Sequence, residues 1–261
     1  AELRPMTRVR AASAATVTAV LVKPVPHAPM QPLAIATATA RRGLAGDCHS
    51  HPLGPRQVLV VRQEALDELG VEAAQVRANL VLAGLSDEDL GSGRVLRVGD
   101  ARIRITHACE ICSVLRSYLD RDTFRRLPGR RGALGVFLAG GKIAVGASVS
   151  IERRRYPVVP DVIGDRAAWV IARIPEGRVL TYESLLHLVG GKRAHFRVMP
   201  VYVRRAAAAG LPAHRVVTSA GRLSGHVASQ AAALRREGLE VENDEVVGAR
   251  WDAHALFTTA A

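Results

Sequence analysis

Leu211-Pro212-Ala213-His214-Arg215-Val216-Val217 lies in the C-terminal part of a 261-residue chain. Its surroundings have a helical period. Immediately upstream, the run Arg197–Ala209 reads as a helix stopped by Gly210. Before it, Glu183–Val189 reads as a helix ending at Gly190-Gly191, since glycine takes the left-handed conformation that ends helices. Two short helices joined by a turn, the second one basic, have the form of a helix-turn-helix. Further upstream, Asp161 is placed to cap a helix whose apolar face is Ile163, Ala167, Val170, Ile171 and Ile174. Pro175-Glu176-Gly177 stops that helix, and Val179-Leu180-Thr181 follows as a short extended piece. Downstream, a last helix over Ala228–Glu237 stops at Gly238, and the tail beyond Asp244 carries no clear signal.

The texture changes near residue 155. Before it, short alternating or β-branched runs dominate: Thr16–Lys23, Arg56–Val61 with a short helix Glu64–Leu69 behind it, and a last strand Lys142–Ile151. Arg94–Val98 and Ala101–Thr106 flank Gly99-Asp100, a two-residue hairpin signal. Many short strands with glycine turns predict an all-β barrel. Arg153-Arg154-Arg155, Tyr156-Pro157 and Pro160 read as a charged, proline-bearing linker.

Hydrophobic residues make up 48% of the chain, enough for a real core. No apolar run approaches the roughly 18 residues of a membrane-crossing helix. Ala1–Arg10 is charged and is not followed by the apolar stretch of a leader, and three cysteines are too few for a disulfide scaffold, so a cytoplasmic location is expected. The net charge of +12 favours polyanionic partners. Between Tyr182 and Arg215 the basic residues Lys192, Arg193, Arg197, Arg204, Arg205 and Arg215 face Glu183 alone, the footprint expected on a duplex. The three lysines against 33 arginines also fit a high-GC codon bias.

The stretch 211–217 resembles the active-site segment of DNA alkylguanine alkyltransferases, where Pro-Cys-His-Arg-Val carries the nucleophile. Ile174–Tyr182 upstream and Leu234–Gly238 downstream extend the likeness over about residues 156–242. Suicide alkyl transfer needs a thiolate activated by a neighbouring histidine. Here Ala213 stands in that position, so the resemblance implies an alkyltransferase-like protein that binds alkylated guanine without repairing it. It further implies base flipping at a cost of a few kcal/mol. Tyr182 would rotate the target phosphate, Ala213, His214 and Arg215 would line the site, and Ser224 and Gly225 would close over the base. Glu237 would orient the histidine. The family's arginine wedge aligns with Phe196, and Arg197 follows; either side chain can fill the gap left by the base. Lys192, Arg193 and Arg204 are expected on phosphates.

The N-terminal part resembles a MOSC domain, named for the C-terminal part of molybdenum-cofactor sulfurase. The pieces, in order, are Met30-Gln31-Pro32, Arg42–His49, Arg56-Gln57-Val58, Arg77–Leu85, Gly93–Val98 and Cys109-Glu110-Ile111-Cys112. A Cys-x-x-Cys pair is a metal or redox signal, but no second pair completes a zinc site and no βαβ context supports a thioredoxin motif. The resemblance implies a molybdenum cofactor (molybdopterin) held through one thiolate, Cys112 first and Cys109 second, with Arg56, Arg77 and Asn79 on the anionic pterin. Where relatives often carry a basic residue, this chain has Cys48. Asp47, His49 and His51 are open to two readings, proton delivery or a capped turn.

The expected organisation is therefore a MOSC barrel at 14–152, a linker at 153–160, a mainly α winged helix-turn-helix alkyltransferase-like domain at 161–245 and a tail at 246–261. The expected partner is double-stranded DNA, preferably alkylated, with DNA-repair proteins as further partners and no membrane. An active alkyltransferase is not expected. A molybdenum-dependent oxidoreductase acting on N-hydroxylated bases is, as is the alternative in which the C-terminal part is only an accessory to that enzyme.

Overall fold

The computed structural model describes residues 15–52, 54–153 and 155–259. The expectations for Ala1–Arg10, for the domain start at residue 14 and for Arg154 lie outside them.

The N-terminal half is built from strands β1 (Thr16–Val22), β2 (Gln31–Leu33), β3 (Ile35–Thr39), β4 (Gly43–Leu44), β5 (Val58–Arg62), β6 (Leu80–Ala83), β7 (Val95–Val98), β8 (Ala101–Ala108), β9 (Ala133–Ala139), β10 (Gly141–Ala144) and β11 (Val149–Glu152). Helices α1 (Gln63–Leu69), α2 (Ala73–Val76) and α3 (Arg121–Arg126) lie between them. Eight strands form one sheet in the order β11-β7-β8-β9-β5-β6-β1-β2, and β10-β3-β4 form a second. The strand ladders do not form the closed ring of the expected barrel among the described residues. Among the described residues, β1 and the segment leading into β11 are joined by a Thr16–Ser148 bridge and by bonds such as Val17 N–H to the Ala147 carbonyl, 3.0 Å.

One face of the large sheet packs Val20, Leu80, Leu96, Ile103 and Phe137; the other packs Leu59, Val61 and Val81 against Leu66 of α1 and Leu115 of a 3-10 turn. The hairpin at Gly99-Asp100 forms as expected, with Gly99 at φ 57°. The single strand expected over Lys142–Ile151 is instead split. Gly146, at φ 84°, turns the chain so that β10 and β11 serve different sheets.

In the C-terminal half, α4 (Ile163–Ile171), β12 (Leu180–Thr181), α5 (Tyr182–Leu188), α6 (Met199–Ala208), β13 (Val216–Val217), α7 (Gln230–Arg236) and the hairpin β14 (Val241–Glu242) and β15 (Glu245–Val246) surround an apolar core. A 3-10 turn over Arg193–Val198 precedes α6, which therefore begins two residues later than read, with Pro200 in its first turn. Asp161 does not cap α4. Its Oδ1 accepts Ala108 N–H at 2.7 Å, and Val162 is the N-cap.

The linker and the tail are also structural. Val159 N–H bonds Ser92 Oγ at 2.8 Å. Trp251 N–H bonds the Val179 carbonyl at 2.8 Å, and Phe257 stacks on Trp169 at 6.0 Å. Arg104 of β8 is fully buried, donates to the Phe257 and Pro157 carbonyls at 2.6 and 2.7 Å and lies over the Tyr156 ring at 4.9 Å. Burial lowers its pKa to about 10, so the guanidinium stays charged at neutral pH. A charge removed from water in this way holds only while its acceptors stay in place, which ties strand, linker and tail together.

Candidate functional site

The segment after α6 folds as a 3-10 turn, Ala213–Arg215, because Pro212 fixes its entry and the valines of β13 pair in parallel with β12. His214 Nε2 lies 2.6 Å from Glu237 Oε1, at the C-terminal end of α7. Arg215 grips the same carboxylate, Nη2 to Oε1 at 2.8 Å and Nε to Oε2 at 3.0 Å, and donates to the Ile174 carbonyl at 2.6 Å. Gly177 N–H completes the set at 3.1 Å. Burial pushes the Glu237 carboxyl up, but Arg215, His214 and the Gly177 N–H outweigh it and hold the pKa at about 2. Gln230, buried, donates to the His214 and Val216 carbonyls at 2.9 and 2.8 Å and accepts Ser224 N–H at 2.8 Å, so one amide fixes both the turn and the 224–225 loop.

A cleft of about 590 Å³ opens beside this turn, lined by Pro212, His214, Arg215, Val227, Ser229 and Arg236 among others. Ala213 is 1% exposed and Tyr182 5%, and neither lines that cleft. The Tyr182 hydroxyl is buried without a well-formed hydrogen bond; burial raises its pKa, so it stays protonated. Gly225, Arg193, Arg197 and Arg204 are exposed, and Phe196, 45% exposed, belongs to none of the apolar clusters among the described residues. Lys192, expected on the duplex, is exposed and also lines a cavity of the N-terminal half.

That second site is a cavity of about 330 Å³ between β1, the Asp47–His49 turn and the Cys109–Cys112 loop. Asp47 is its pillar: Oδ2 accepts Lys23 N–H and Asn79 Nδ2 at 2.9 and 2.8 Å, and Oδ1 accepts His49 N–H at 2.8 Å. Burial raises the Asp47 pKa, but the bonds from His49 and Lys23 bring it below its usual value. The 47–49 segment is thus a capped turn. His51 leaves it to stack on His187 of α5, ring centroids 4.5 Å apart. Asn79 also spends its amide internally, accepting Leu59 N–H at 3.0 Å.

The two cysteines differ. Cys109 is buried, which raises its thiol pKa. Cys112 is half-buried; burial pushes its thiol up, but Arg131 and Lys192 outweigh this and lower it. Arg131 donates to Cys112 Sγ at 3.8 Å and to the Glu110 carbonyl. Arg56 donates to Glu110 Oε2 at 2.7 Å, and the fully buried Arg166 of α4 holds Oε1. Arg77 Nη2 and Arg131 Nε are buried without hydrogen-bond partners, and Arg77 itself sits at φ 63°, a strained backbone for a non-glycine.

The family comparison separates the halves along the same line. Residues 47–150 match the model of the MOSC domain, and residues 165–243 match the 6-O-methylguanine DNA methyltransferase DNA binding domain. The chain joins a MOSC domain to an alkyltransferase-type DNA-binding domain. The sheet-rich half is thus the MOSC domain and the helical half the DNA-binding domain. Among solved structures the chain is similar to the YUAD protein from Bacillus subtilis (18% identity, 56% of this chain and 98% of that one, TM-score 0.47). It is similar to YiiM from Escherichia coli (21%, 75% and 94%, 0.45) and to S. pombe Atl1 in complex with damaged DNA containing O6-carboxymethylguanine (23%, 34% and 94%, 0.31). The comparison with curated proteins gives no match.

The structure thus brings His214, Arg215 and Glu237 together in the DNA-binding domain, and Arg56, Arg77, Asn79, Cys109 and Cys112 around one cavity of the MOSC domain. Sequence reasoning gave no role to Gln230, Glu110, Arg131 or Arg166. Glu110 was visible only as the filler of Cys-x-x-Cys; its partner Arg166 lies 56 positions away. Among the described residues, no helix is long and apolar enough to cross a membrane.

Proposed function

We propose that this protein binds duplex DNA containing O6-alkylguanine-type lesions by extruding the base, and that it does not accept the alkyl group. The observation that carries this reading is the His214–Glu237–Arg215 constellation, which keeps the charge arrangement of a thiol-activating site around a residue with no sulfur. A methyl side chain cannot act as a nucleophile, so the surrounding groups are left to bind and orient. The exposed Phe196 and Arg197 at the entry to α6 are the wedge candidates, while Arg193 and Arg204 supply phosphate contacts. The β14–β15 hairpin is the candidate wing, and the working boundaries are 14–152, 153–160, 161–245 and 246–261. Incubating the full chain with a duplex carrying one O6-methylguanine tests the chemistry. Intact mass is expected to stay unchanged while the duplex is retained in a mobility-shift gel; a chain heavier by one methyl group sinks the reading.

The MOSC cavity fits an anionic pterin cofactor. Arg56, Arg77 and Arg131 line it, and Asp47, the one carboxylate among its described lining residues, is already saturated with hydrogen bonds. Arg56, Arg77 and Arg131 would hold its charged groups and the Cys112 thiolate would ligate molybdenum, a soft donor for a polarizable metal. When bound, the cofactor would supply oxygen-atom and electron-transfer chemistry, with N-hydroxylated bases as the substrate class.

One observation favours the alternative, a molybdenum oxidoreductase whose DNA-binding domain is an accessory: Ala213 and Tyr182 are sealed in the core and do not open onto the 590 Å³ cleft. Equal affinity for lesion-bearing and plain duplex supports that alternative.

A further inference from the structure

The 330 Å³ cavity is not made by the MOSC domain alone. Lys192, from the turn after α5, lines it, and it is the one lining residue drawn from the DNA-binding domain. A neighbouring cleft of about 410 Å³ lies between the two domains and is lined by Arg56, Glu110, Cys112, Asp161, Gly190, Lys192 and His195 among others. Arg56, Cys112 and Lys192 belong to both walls, so the cleft and the cavity lie on either side of a shared wall that includes Cys112.

Lys192 is held there by the docking of the domains. Gly190, at φ 65°, packs so closely on Arg56 that a Cβ would fall 2.6 Å from Arg56 Cδ. Arg166 and Arg56 share the Glu110 carboxylate across the boundary, and the His51–His187 stack lies on the same seam. The cations Lys23, Arg56, Arg77, Arg131 and Lys192 thus converge on one cavity. Arg131 is 6% exposed, and its Nε has no partner.

The geometry points to a composite phosphate site in which Lys192, reaching across from the DNA-binding domain, completes the cationic lining beside Cys112 and binds a phosphomonoester. A phosphate dianion suits this donor set because several charge-assisted hydrogen bonds can converge on its three terminal oxygens. Lys192 is then a cavity residue and not one of the duplex contacts. The inference deepens the cofactor reading but rests on it only in part: the phosphate belongs either to a bound pterin or to a mononucleotide substrate.

The test uses the full chain as wild type, Lys192→Met and Arg193→Met. Inorganic phosphate and guanosine monophosphate are titrated calorimetrically, retained pterin is read by fluorescence after oxidation, and plain-duplex affinity is followed against salt. Lys192→Met is expected to weaken both phosphate probes about tenfold and to leave duplex affinity unchanged. Arg193→Met is expected to do the reverse. Thermal melts, expected to match wild type because Lys192 is exposed, check the fold. Tighter binding of the mononucleotide than of inorganic phosphate assigns the site to substrate; pterin that falls away with Lys192→Met assigns it to cofactor. Unchanged probe affinity together with unchanged pterin retention in Lys192→Met, a duplex salt slope reduced by about one in that variant, or a wild type that carries no pterin and binds neither probe overturns the inference. A wild type that binds phosphate through Lys192 but carries no pterin overturns the cofactor reading alone.

Discussion

Replacing Glu237 by glutamine removes the charge on which His214, Arg215 and Gly177 converge, and its cost follows from the geometry. In the folded chain the carboxyl pKa is held at about 2, against an ordinary value of 4.5. At about 1.4 kcal/mol per pH unit, the difference corresponds to about 3 kcal/mol of stability at neutral pH. The side chain is only 11% exposed, so screening removes little of it. The sign follows from the depressed value. The contribution is fully present above the unfolded pKa, declines as pH falls below about 4.5, and is lost through pH 2. Wild type and Glu237→Gln should therefore differ in melting temperature by roughly 6–12 °C at pH 7. The gap should be less than half as large at pH 3. Scanning calorimetry or fluorescence melts at half-unit pH steps read this directly. A gap that stays constant from pH 7 to pH 3, or no gap at pH 7, would show that the carboxylate is not the charged centre of this turn.

Phe196→Ala, at an exposed position, is expected to change stability by less than about 0.5 kcal/mol but to lower lesion-duplex affinity about tenfold, measured by anisotropy. Glu110→Gln leaves the fully buried Arg166 without its anion and is expected to cost about 1–2 kcal/mol, discounted because Glu110 is 40% exposed; urea unfolding checks it. Ala213→Leu forces a larger side chain into a site 1% exposed and is expected to destabilise by about 1–3 kcal/mol, read by the same unfolding curves. Iodoacetamide at pH 7 should label Cys112 before Cys109, since Cys112 is half-buried beside Arg131 and Cys109 is enclosed; peptide mapping gives the order.

The features legible in the sequence were those carried by local pattern. The Gly99-Asp100 hairpin, the α4 apolar face and the helix stops at Gly190, Gly210 and Gly238 each depend on a few adjacent residues. The break within Lys142–Ile151 did not show, because Gly146 sits in an otherwise continuous β-like run and the two strands differ only in their partners. Strand β9 went unread for a related reason: Ala133–Ala139 is buried on both faces and lacks the alternation of a half-exposed strand. Asp161 had the chemistry of a helix cap but was taken by Ala108 N–H from the other domain. The same limit applies at the candidate sites. Motifs named Ala213, His214, Glu237 and the cysteine loop, whereas the Glu110–Arg56–Arg166 cluster, the Gln230 pin and the presence of Lys192 in the MOSC cavity wall depend on contacts between residues far apart in the chain.

Paired anisotropy titrations at fixed salt, on two duplexes identical except for one O6-methylguanine, test the central claim most directly. The account predicts a lesion duplex bound at least about tenfold more tightly, with the modified base recovered intact. Equal affinities for the two duplexes, or recovery of unmodified guanine, would contradict it.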